Sequence, residues 1–290
     1  MKNFLKIIMV FSVLLLGVAD SHAQMIQVKG SDTLINLVQK LAEEYMMKNP
    51  GKNIAVTGGG SGTGVAALLN NKCDIANASR EMSLKEYEQA SDRGITPVTI
   101  VVALDGLSII VNPDNSVEEL TKDQVAKIFR GEIRNWSEVG GKDMPVNLYG
   151  RQSNSGTYEF MKTAVLKGDF SGKMSRMNGN AQIVAAVQAD ESGIGYVGVG
   201  YVKDSTGIKV LNIALKEGGE YASPLDKIKV DTGIYPLSRP LYQFVNGNPQ
   251  GDVKEFIAFE LSPEGQRIVE EEGFFSIPQE YVGLNKKAGL

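Results

Sequence analysis

Residue types that bind oxyanions occur together in one stretch near the middle of the sequence. Arg151 is followed a few positions later by Ser155, Gly156 and Thr157. A guanidinium offers a planar pair of charged donors, hydroxyls add neutral donors, and glycine lets the backbone approach a ligand closely. The apolar run 144–149 before this stretch and the helical periodicity after it predict a strand, a turn and a helix start. Free amides at a helix start favour an anion, so an oxyanion site is predicted; an ordinary helix cap beside a surface arginine is the alternative.

Two further turns have a similar composition. Residues 30–34 read Gly-Ser-Asp-Thr-Leu between a predicted strand and a predicted helix, and residues 58–64 form a glycine-rich loop that contains Ser61. If the three turns converge, their hydroxyls and amides could surround a small tetrahedral anion. Three ordinary caps and a flexible loop are the alternative interpretation.

Other ligand-binding motifs lack the context they need. Residues 193–198 match Gly-x-Gly-x-x-Gly, but they lie in a β-rich run with no helix after it, which argues against a dinucleotide site. The loop 58–64 lacks the Lys-Ser or Lys-Thr of a nucleotide-hydrolysing loop. The chain has one cysteine, Cys73, and one histidine, His22. An internal disulfide is therefore excluded, and neither a metal site nor a cofactor is predicted.

The N-terminal residues predict a secretory signal peptide. Lys2 and Lys6 precede the apolar run 7–18, and residues 21–23 offer small side chains at the positions that signal peptidase reads, so cleavage is expected before Gln24. The apolar run is too short for a permanent membrane anchor. The residue directly after the predicted cleavage site is Gln24 and not a cysteine, so no lipid anchor is expected and the mature protein is predicted to be exported.

The charge balance argues against nucleic acid as a partner. The formal net charge of the full chain is −4, and loss of the predicted signal peptide makes it one unit more negative. Proteins that bind nucleic acid or anionic membranes are normally basic. Attraction of an anion must therefore come from local donors.

The rest of the chain predicts an α/β fold, because short apolar runs alternate with helical periodicity. The runs 97–103 and 107–111 are predicted to pass between two lobes, and 241–245 is predicted as a returning strand. A strand is predicted at 209–213, a loop-rich segment at 218–231, and two helices near the C-terminus.

Taken in order, these motifs resemble the periplasmic phosphate-binding protein of the phosphate-specific ABC transporter. The likeness covers nearly all of the predicted mature chain and rests on Gly-Ser-Asp-Thr at 30–33, the loop 58–64, Asp-Ile-Ala-Asn-Ala-Ser-Arg at 74–80, Asp105-Gly106, and Arg151 with Ser-Gly-Thr at 155–157. The resemblance implies a type II periplasmic binding protein, whose two lobes are joined by two crossover segments and enclose a ligand cleft. It implies lobe I at residues 24–105 and 240–290, and lobe II at 106–239.

The resemblance also implies which residues contact phosphate. From lobe I these are Ser31, Asp32, Thr33, the backbone amide of Leu34, and Ser61. From lobe II they are Arg151, Ser155, Gly156 and Thr157.

One departure from the family pattern concerns the phosphate proton. Some members have an aspartate directly after the serine of the third motif, and that aspartate accepts the proton. This chain has Arg80 there, which is predicted to add a second cationic donor. The proton acceptor is left open, with Asp32 as the first candidate and Asp105 as the second.

The resemblance implies that the protein binds inorganic phosphate as a monomer in the periplasm and delivers it to the membrane permease of an ABC importer. A receptor for sulfate, molybdate or tungstate is one alternative. A secreted phosphatase that uses one of these serines is another, although the predicted mature chain has no histidine to activate a serine. A structural surface protein is a third, and the three anion-type turns argue against it.

Overall fold

The computed structural model describes residues 25–290. The predicted signal peptide, residues 1–23, lies outside the described residues, as does His22. Within the described range, no helix is both long and apolar enough to cross a membrane.

Strands and helices alternate along the chain, as predicted for an α/β protein. The strands are β1 Ile26–Gly30, β2 Ile54–Thr57, β3 Ile75–Ala78, β4 Pro97–Gly106, β5 Ser108–Val111, β6 Glu119–Thr121, β7 Asn147–Arg151, β8 Ser175–Met177, β9 Gly193–Val197, β10 Lys209–Val210, β11 Asn212–Ala214 and β12 Ser238–Asn246. The α-helices are α1 Ile35–Lys48, α2 Ser61–Leu69, α3 Leu84–Asp92, α4 Lys122–Arg130, α5 Gly156–Phe160, α6 Asn180–Gln188, α7 Lys227–Asp231, α8 Gly251–Leu261, α9 Pro263–Glu271 and α10 Gln279–Lys287. A π-helical segment, Met161–Leu166, continues α5, and short 3₁₀ helices lie at Trp136–Val139 and Val199–Tyr201.

The first sheet, which forms lobe I, has the strand order β2-β1-β3-β12-β4. Its two faces are covered by helices, so Ile75 packs in the same core as α1 whereas Ala76 and Ala78 pack with α2. Strand β1 is parallel to both β2 and β3. The carboxyl ends of parallel strands meet at one edge of a sheet. The turns after β1, β2 and β3 therefore lie next to one another at that edge.

The second sheet, which forms lobe II, has the order β10-β5-β9-β7-β8. Strands β8 and β9 are both parallel to β7. The same geometry brings the segments after β7, β8 and β9 to one edge, which faces the turns of lobe I. The turns after β1, β2 and β3 thus meet the segments after β7, β8 and β9, because the parallel strands of each sheet end at the edge that faces the other lobe.

Strands β4 and β12 connect the lobes. They pair antiparallel along their length, with Asp105 opposite Arg239, and β5 of the second sheet begins at Ser108, directly after β4. Of the two predicted crossing segments, 97–103 lies in β4 of the first sheet, whereas 107–111 lies almost entirely in β5 of the second sheet. The predicted returning strand 241–245 lies in β12 of the first sheet. The predicted lobe boundaries at 105/106 and 239/240 stay a prediction.

Three elements differ from the sequence prediction. The strand predicted at 209–213 is divided at buried Leu211 into β10 and β11, which belong to different sheets. The segment 218–231 contains α7, and a third C-terminal helix, α10, follows α9. The Asn285 side chain of α10 accepts a hydrogen bond from the backbone amide of Val101 (2.9 Å) and donates one to its carbonyl (2.8 Å), which covers the exposed edge of β4.

Candidate functional site

Four hydroxyl groups from both lobes form one buried cluster at the facing edges. The Thr33 and Thr157 oxygens are 3.0 Å apart, the Ser79 and Thr157 oxygens 3.5 Å, and the Ser61 and Ser79 oxygens 3.4 Å. Thr33, Ser61 and Ser79 belong to lobe I, and Thr157 belongs to lobe II. Each of the four residues is at most 1% exposed. The structure therefore brings together predicted residues of all three turns. It adds Ser79, which the sequence analysis named only within the motif 74–80 and not as a site residue.

Several of these oxygens already accept a hydrogen bond from a nitrogen. Ser61 Oγ accepts from the Ser79 amide at 3.0 Å, and Thr157 Oγ1 accepts from Arg239 Nη2 at 3.0 Å. Ser155 Oγ, at the start of α5, accepts from the amide of Thr157 at 3.2 Å. A hydroxyl has one hydrogen to donate. Each of these oxygens already acts as an acceptor, so its single hydrogen can be donated only to a neighbouring hydroxyl or to a ligand.

Gly156 lets the backbone of lobe II approach these hydroxyls. A Cβ atom at this position would lie 2.7 Å from Ser79 Oγ and would also collide with Ser61 Oγ. Real Cβ contacts are not that short, so a side chain here would push the lobes apart. Gly156 thus allows a close approach to the hydroxyls of lobe I, and its predicted approach to a ligand stays a prediction.

Arg151 reaches across the cleft from the end of β7. Its Nη2 donates to Asp32 Oδ2 of lobe I and, at 2.9 Å, to the carbonyl of Asn178. Arg151 is only 2% exposed, yet among residues 25–290 its Nε and Nη1 have no hydrogen-bond partner. Buried polar groups are almost always hydrogen-bonded. The unpaired charged donors therefore mark Arg151 as a group with capacity for a ligand.

A second buried arginine, Arg239, was not predicted. Its Nε and Nη2 donate to Asp105 Oδ2 at 3.0 and 2.8 Å, and its Nη1 donates to the Ser79 carbonyl at 3.2 Å. Burial lowers the pKa of the Arg239 guanidinium, and the adjacent Asp105 carboxylate opposes that shift. The returning strand was predicted to begin at 241, two residues after Arg239. The pairing of this strand with β4 puts Arg239 opposite Asp105, and no local sequence pattern signalled that register.

Arg80 lies close to the cluster but does not donate to it. Its guanidinium makes two 2.7 Å hydrogen bonds to the Glu86 carboxylate and one to the Glu81 carbonyl. Burial favours the neutral form of Glu86, but hydrogen bonds from Arg80 and Ser83 lower the pKa of Glu86 overall. The structure thus brings Arg239, not Arg80, to the hydroxyls as the second cation.

The two candidate proton acceptors differ in how many hydrogen bonds they already accept. Asp32 accepts from Arg151 and from the Gly59 amide, and Asp105 accepts two bonds from Arg239 and one from the Val199 amide. A carboxylate has about four acceptor positions. Asp32 therefore retains the greater capacity for a proton on a ligand.

The remaining predicted residues lie in the turn after β1. Ser31 Oγ accepts from the Thr33 amide at 3.3 Å, and the Leu34 amide donates to the Ser31 carbonyl at 3.2 Å. These bonds hold the turn that presents Thr33. Tyr201 of lobe II, another residue not predicted, donates its hydroxyl to the Asp32 carbonyl at 2.7 Å; burial, together with the nearby Asp32 charge, raises the pKa of Tyr201 to about 12.

The two facing lobes, the paired crossing strands and the buried cleft residues define a type II periplasmic binding protein. A family model described as a PBP superfamily domain matches residues 17–264. A phosphate-binding protein PstS from Pseudomonas aeruginosa is 35% identical over 269 residues, which cover 86% of this chain and 82% of the relative.

Two solved structures share the fold over most of the chain. A substrate-binding protein from Clostridium perfringens that contains bound phosphate has a TM-score of 0.78 at 27% identity, covering 87% of this chain and 99% of that one. An ABC-type phosphate transport receptor from Vibrio cholerae has a TM-score of 0.71 at 28% identity, covering 87% of this chain and 100% of that one. The chain belongs to the PstS family of phosphate-binding proteins, which confirms the predicted fold class and the predicted family.

Proposed function

We propose that the protein binds inorganic phosphate between its lobes and delivers it to an ABC-type importer. The observation that carries this proposal is the buried Arg151, whose Nε and Nη1 have no partner among residues 25–290. It lies in the same cleft as the hydroxyls of Thr33, Ser61, Ser79, Ser155 and Thr157. A phosphate oxygen is the kind of acceptor that such charged and neutral donors fit.

Binding exchanges hydroxyl–hydroxyl contacts for contacts to the anion. A hydrogen bond with a charged partner contributes roughly 1.5–3 kcal/mol, whereas association costs about 4–15 kcal/mol. A micromolar complex requires about −8.2 kcal/mol. One turn with a few donors does not suffice, so phosphate affinity depends on donors from both lobes acting together.

Asp32 is proposed as the group that separates phosphate from sulfate. Hydrogen phosphate has a proton to donate to a carboxylate, and sulfate at neutral pH has none. A carboxylate that meets sulfate therefore adds repulsion without a hydrogen bond. The free acceptor capacity of Asp32 supports its assignment before Asp105.

Burial of the cluster supports an inorganic anion as the ligand. The cluster hydroxyls and both guanidiniums are at most 3% exposed, so an anion bound among them would be enclosed between the two lobes. An organic substituent on the phosphate would have to pass between the contacting lobes. We therefore infer that glycerol phosphate does not compete with phosphate at tenfold excess.

The transport role rests on the relatives. The Vibrio cholerae structure is that of an ABC-type phosphate transport receptor, and the family consists of binding proteins, which fits a protein without catalytic activity. We propose a membrane permease as the partner, export by the predicted signal peptide to the periplasm, and a monomeric receptor.

Isothermal titration of the purified, anion-free protein with phosphate and separately with sulfate tests the proposal. One-to-one phosphate binding with little response to sulfate is expected. Binding of sulfate, molybdate or tungstate in place of phosphate would keep the fold and replace the ligand. Turnover of a chromogenic phosphate ester would instead support a phosphatase.

A further inference from the structure

Asn154 makes a second set of contacts across the cleft, next to the hydroxyl cluster. Its Nδ2 donates to the Gly59 carbonyl at 2.8 Å, and its own carbonyl accepts from the Gly62 amide at 3.0 Å. Asn154 belongs to lobe II, and both glycines belong to the glycine-rich loop of lobe I. These bonds exist only when the lobes are in contact.

Both sides of this contact are held by their own lobe. In lobe I, the Gly60 amide donates to the Gly30 carbonyl at 2.9 Å, which ties the loop to the end of β1. In lobe II, the Ser155 amide donates to the Gln152 carbonyl at 3.0 Å, which puts Asn154 in a tight turn. The two surfaces therefore meet with little rearrangement of either.

The close contact between the glycine-rich loop and the Asn154 backbone explains why two positions of the loop are glycine. A Cβ atom at Gly60 would lie 2.7 Å from the Asn154 carbonyl oxygen, and one at Gly62 would lie 3.3 Å from it. Gly59 also has a positive φ, +114° against +91° at Gly60, but a Cβ there would meet only Thr63 of its own loop, at 3.5 Å or more. A side chain at Gly60 would therefore obstruct the contact between the lobes, whereas a side chain at Gly59 would not.

We propose that Asn154 is a positioning residue that holds the lobes closed on the bound anion through the glycine-rich loop. The inference rests on the proposed function for the identity of the ligand. Asn154 itself is exposed and has no hydrogen bond to the hydroxyl cluster within the described chain. Its bonds stabilise the closed form alone, because they are absent when the lobes are apart.

This placement predicts a kinetic signature. The anion enters the open form, in which the Asn154 contacts are absent, so the association rate does not depend on them. Dissociation requires the lobes to separate and the contacts to break. Weakening them therefore raises the dissociation rate constant and leaves the association rate constant nearly unchanged.

The test compares phosphate kinetics of the whole protein and four variants by stopped-flow fluorescence. Asn154→Ala is expected to raise the dissociation rate about fivefold, from the loss of one neutral hydrogen bond. Gly60→Ala is expected to raise it further, because its Cβ collides with Asn154. Gly59→Ala introduces similar backbone strain without that collision and is expected to have a smaller effect than Gly60→Ala.

Gln152→Ala is the matched control in the same turn, because among residues 25–290 the Gln152 side chain bonds only to Asn178 of its own lobe. Its dissociation rate is expected to equal that of the wild type. Equal rates for wild type, Asn154→Ala and Gly60→Ala would overturn the proposal while phosphate binding by the wild type upholds the function. Equal effects of Gly59→Ala and Gly60→Ala would also overturn it, since strain alone would then explain both.

A second readout measures the separation of the lobes directly and can also be taken without phosphate. One spin label on each lobe reports the distance between lobes with and without phosphate. Asn154→Ala is expected to lengthen the mean distance or increase the open fraction. If the wild type fails to bind phosphate, the function fails, and an unchanged distance in Asn154→Ala would separately overturn the role of Asn154.

Discussion

Two buried arginine–aspartate pairs lie at the same cleft and differ in what they connect. Arg239 and Asp105 belong to adjacent strands of one sheet, and Arg151 and Asp32 face each other from opposite lobes. Both guanidiniums are nearly inaccessible, at 3% and 2% exposure. Opening of the lobes would separate the second pair and leave the first intact.

The pairs also differ in their unused donors. Arg239 donates to Asp105, to the Ser79 carbonyl and to Thr157, and is not among the buried side chains that lack a partner within residues 25–290. Arg151 retains two unpaired nitrogens in the same range. The comparison indicates that a charge whose bonds are satisfied supports the framework, whereas a charge with unpaired donors is available to a ligand.

Removing the cation of the internal pair is expected to have the largest effect. Arg239→Met leaves Asp105 buried without its counter-charge, which should lower the free energy of unfolding by about 3–5 kcal/mol. Urea denaturation without phosphate measures this loss. The double variant Arg239→Met, Asp105→Leu should recover part of it, and a loss below about 1 kcal/mol for the single variant would contradict the supporting role.

Removing the cation of the cleft pair is expected to act on binding instead. Arg151→Met eliminates the unpaired charged donors, so phosphate affinity should fall about 100-fold, or about 2.8 kcal/mol. Titration calorimetry measures the change. Arg134→Met is the control, because it removes the same charge from an exposed site in lobe II. Equal affinity of the two variants would remove Arg151 from the site.

Glu260 is a buried carboxyl that, unlike Asp32 and Asp105, has no salt-bridge partner among residues 25–290. Glu260 accepts a 3.0 Å hydrogen bond from Gln243 Nε2, its Oε2 has no partner in the described part of the chain, and burial raises its pKa from 4.5 to about 8. Between pH 4.5 and about 8, the folded protein therefore retains a proton that the unfolded chain has already released. The stability from this proton is complete below pH 4.5 and is lost as the pH rises toward 8.

The Glu260→Gln variant removes this titration and can still hydrogen-bond Gln243. Relative to the variant, wild-type stability should fall by about 1.4 kcal/mol per pH unit between roughly pH 5 and 7.5. Urea denaturation at several pH values measures the difference. Parallel curves for wild type and variant would show that Glu260 is ionised in the folded protein.

Asp32, the carboxylate of the cleft pair, is expected to affect the selectivity for phosphate over sulfate more than the affinity for phosphate. Asp32→Asn removes the repulsion toward sulfate, so the ratio of phosphate to sulfate affinity should fall about tenfold. Competition titrations with both anions measure the ratio. If it is unchanged in Asp32→Asn but falls in Asp105→Asn, the proton acceptor is Asp105.

The sequence allowed prediction of the parts of the site that are local. Thr33, Ser61 and Thr157 each lie in a short strand-to-helix turn whose glycine and hydroxyl residues are recognisable without the fold. Arg151 stands at the start of one such turn. Parallel strands then bring the turns together, which the alternating α/β pattern made predictable.

Residues whose role depends on pairing between distant segments were not predicted. Arg239 matters because the register of β12 on β4 puts it opposite Asp105, and no local pattern specifies that register. Helix α10 likewise depends on the β4 edge that Asn285 covers. The glycine-rich loop was predicted as an anion loop through Ser61, but its contact with Asn154 requires both lobes.

Replacement of Arg80 is expected to have the smallest effect on phosphate affinity. It also tests whether an arginine with satisfied hydrogen bonds plays only a supporting role. The Arg80 side chain is 17% exposed, and its partner Glu86 lies within the same lobe, at the start of α3. An ion pair of this kind satisfies the guanidinium locally, so Arg80→Gln should change phosphate affinity by less than about threefold. Glu86→Gln releases the guanidinium and should affect affinity in the opposite direction if Arg80 can reach the anion. A tenfold loss in Arg80→Gln would mean that Arg80 leaves Glu86 when phosphate binds, and a satisfied charge would then no longer identify a supporting residue.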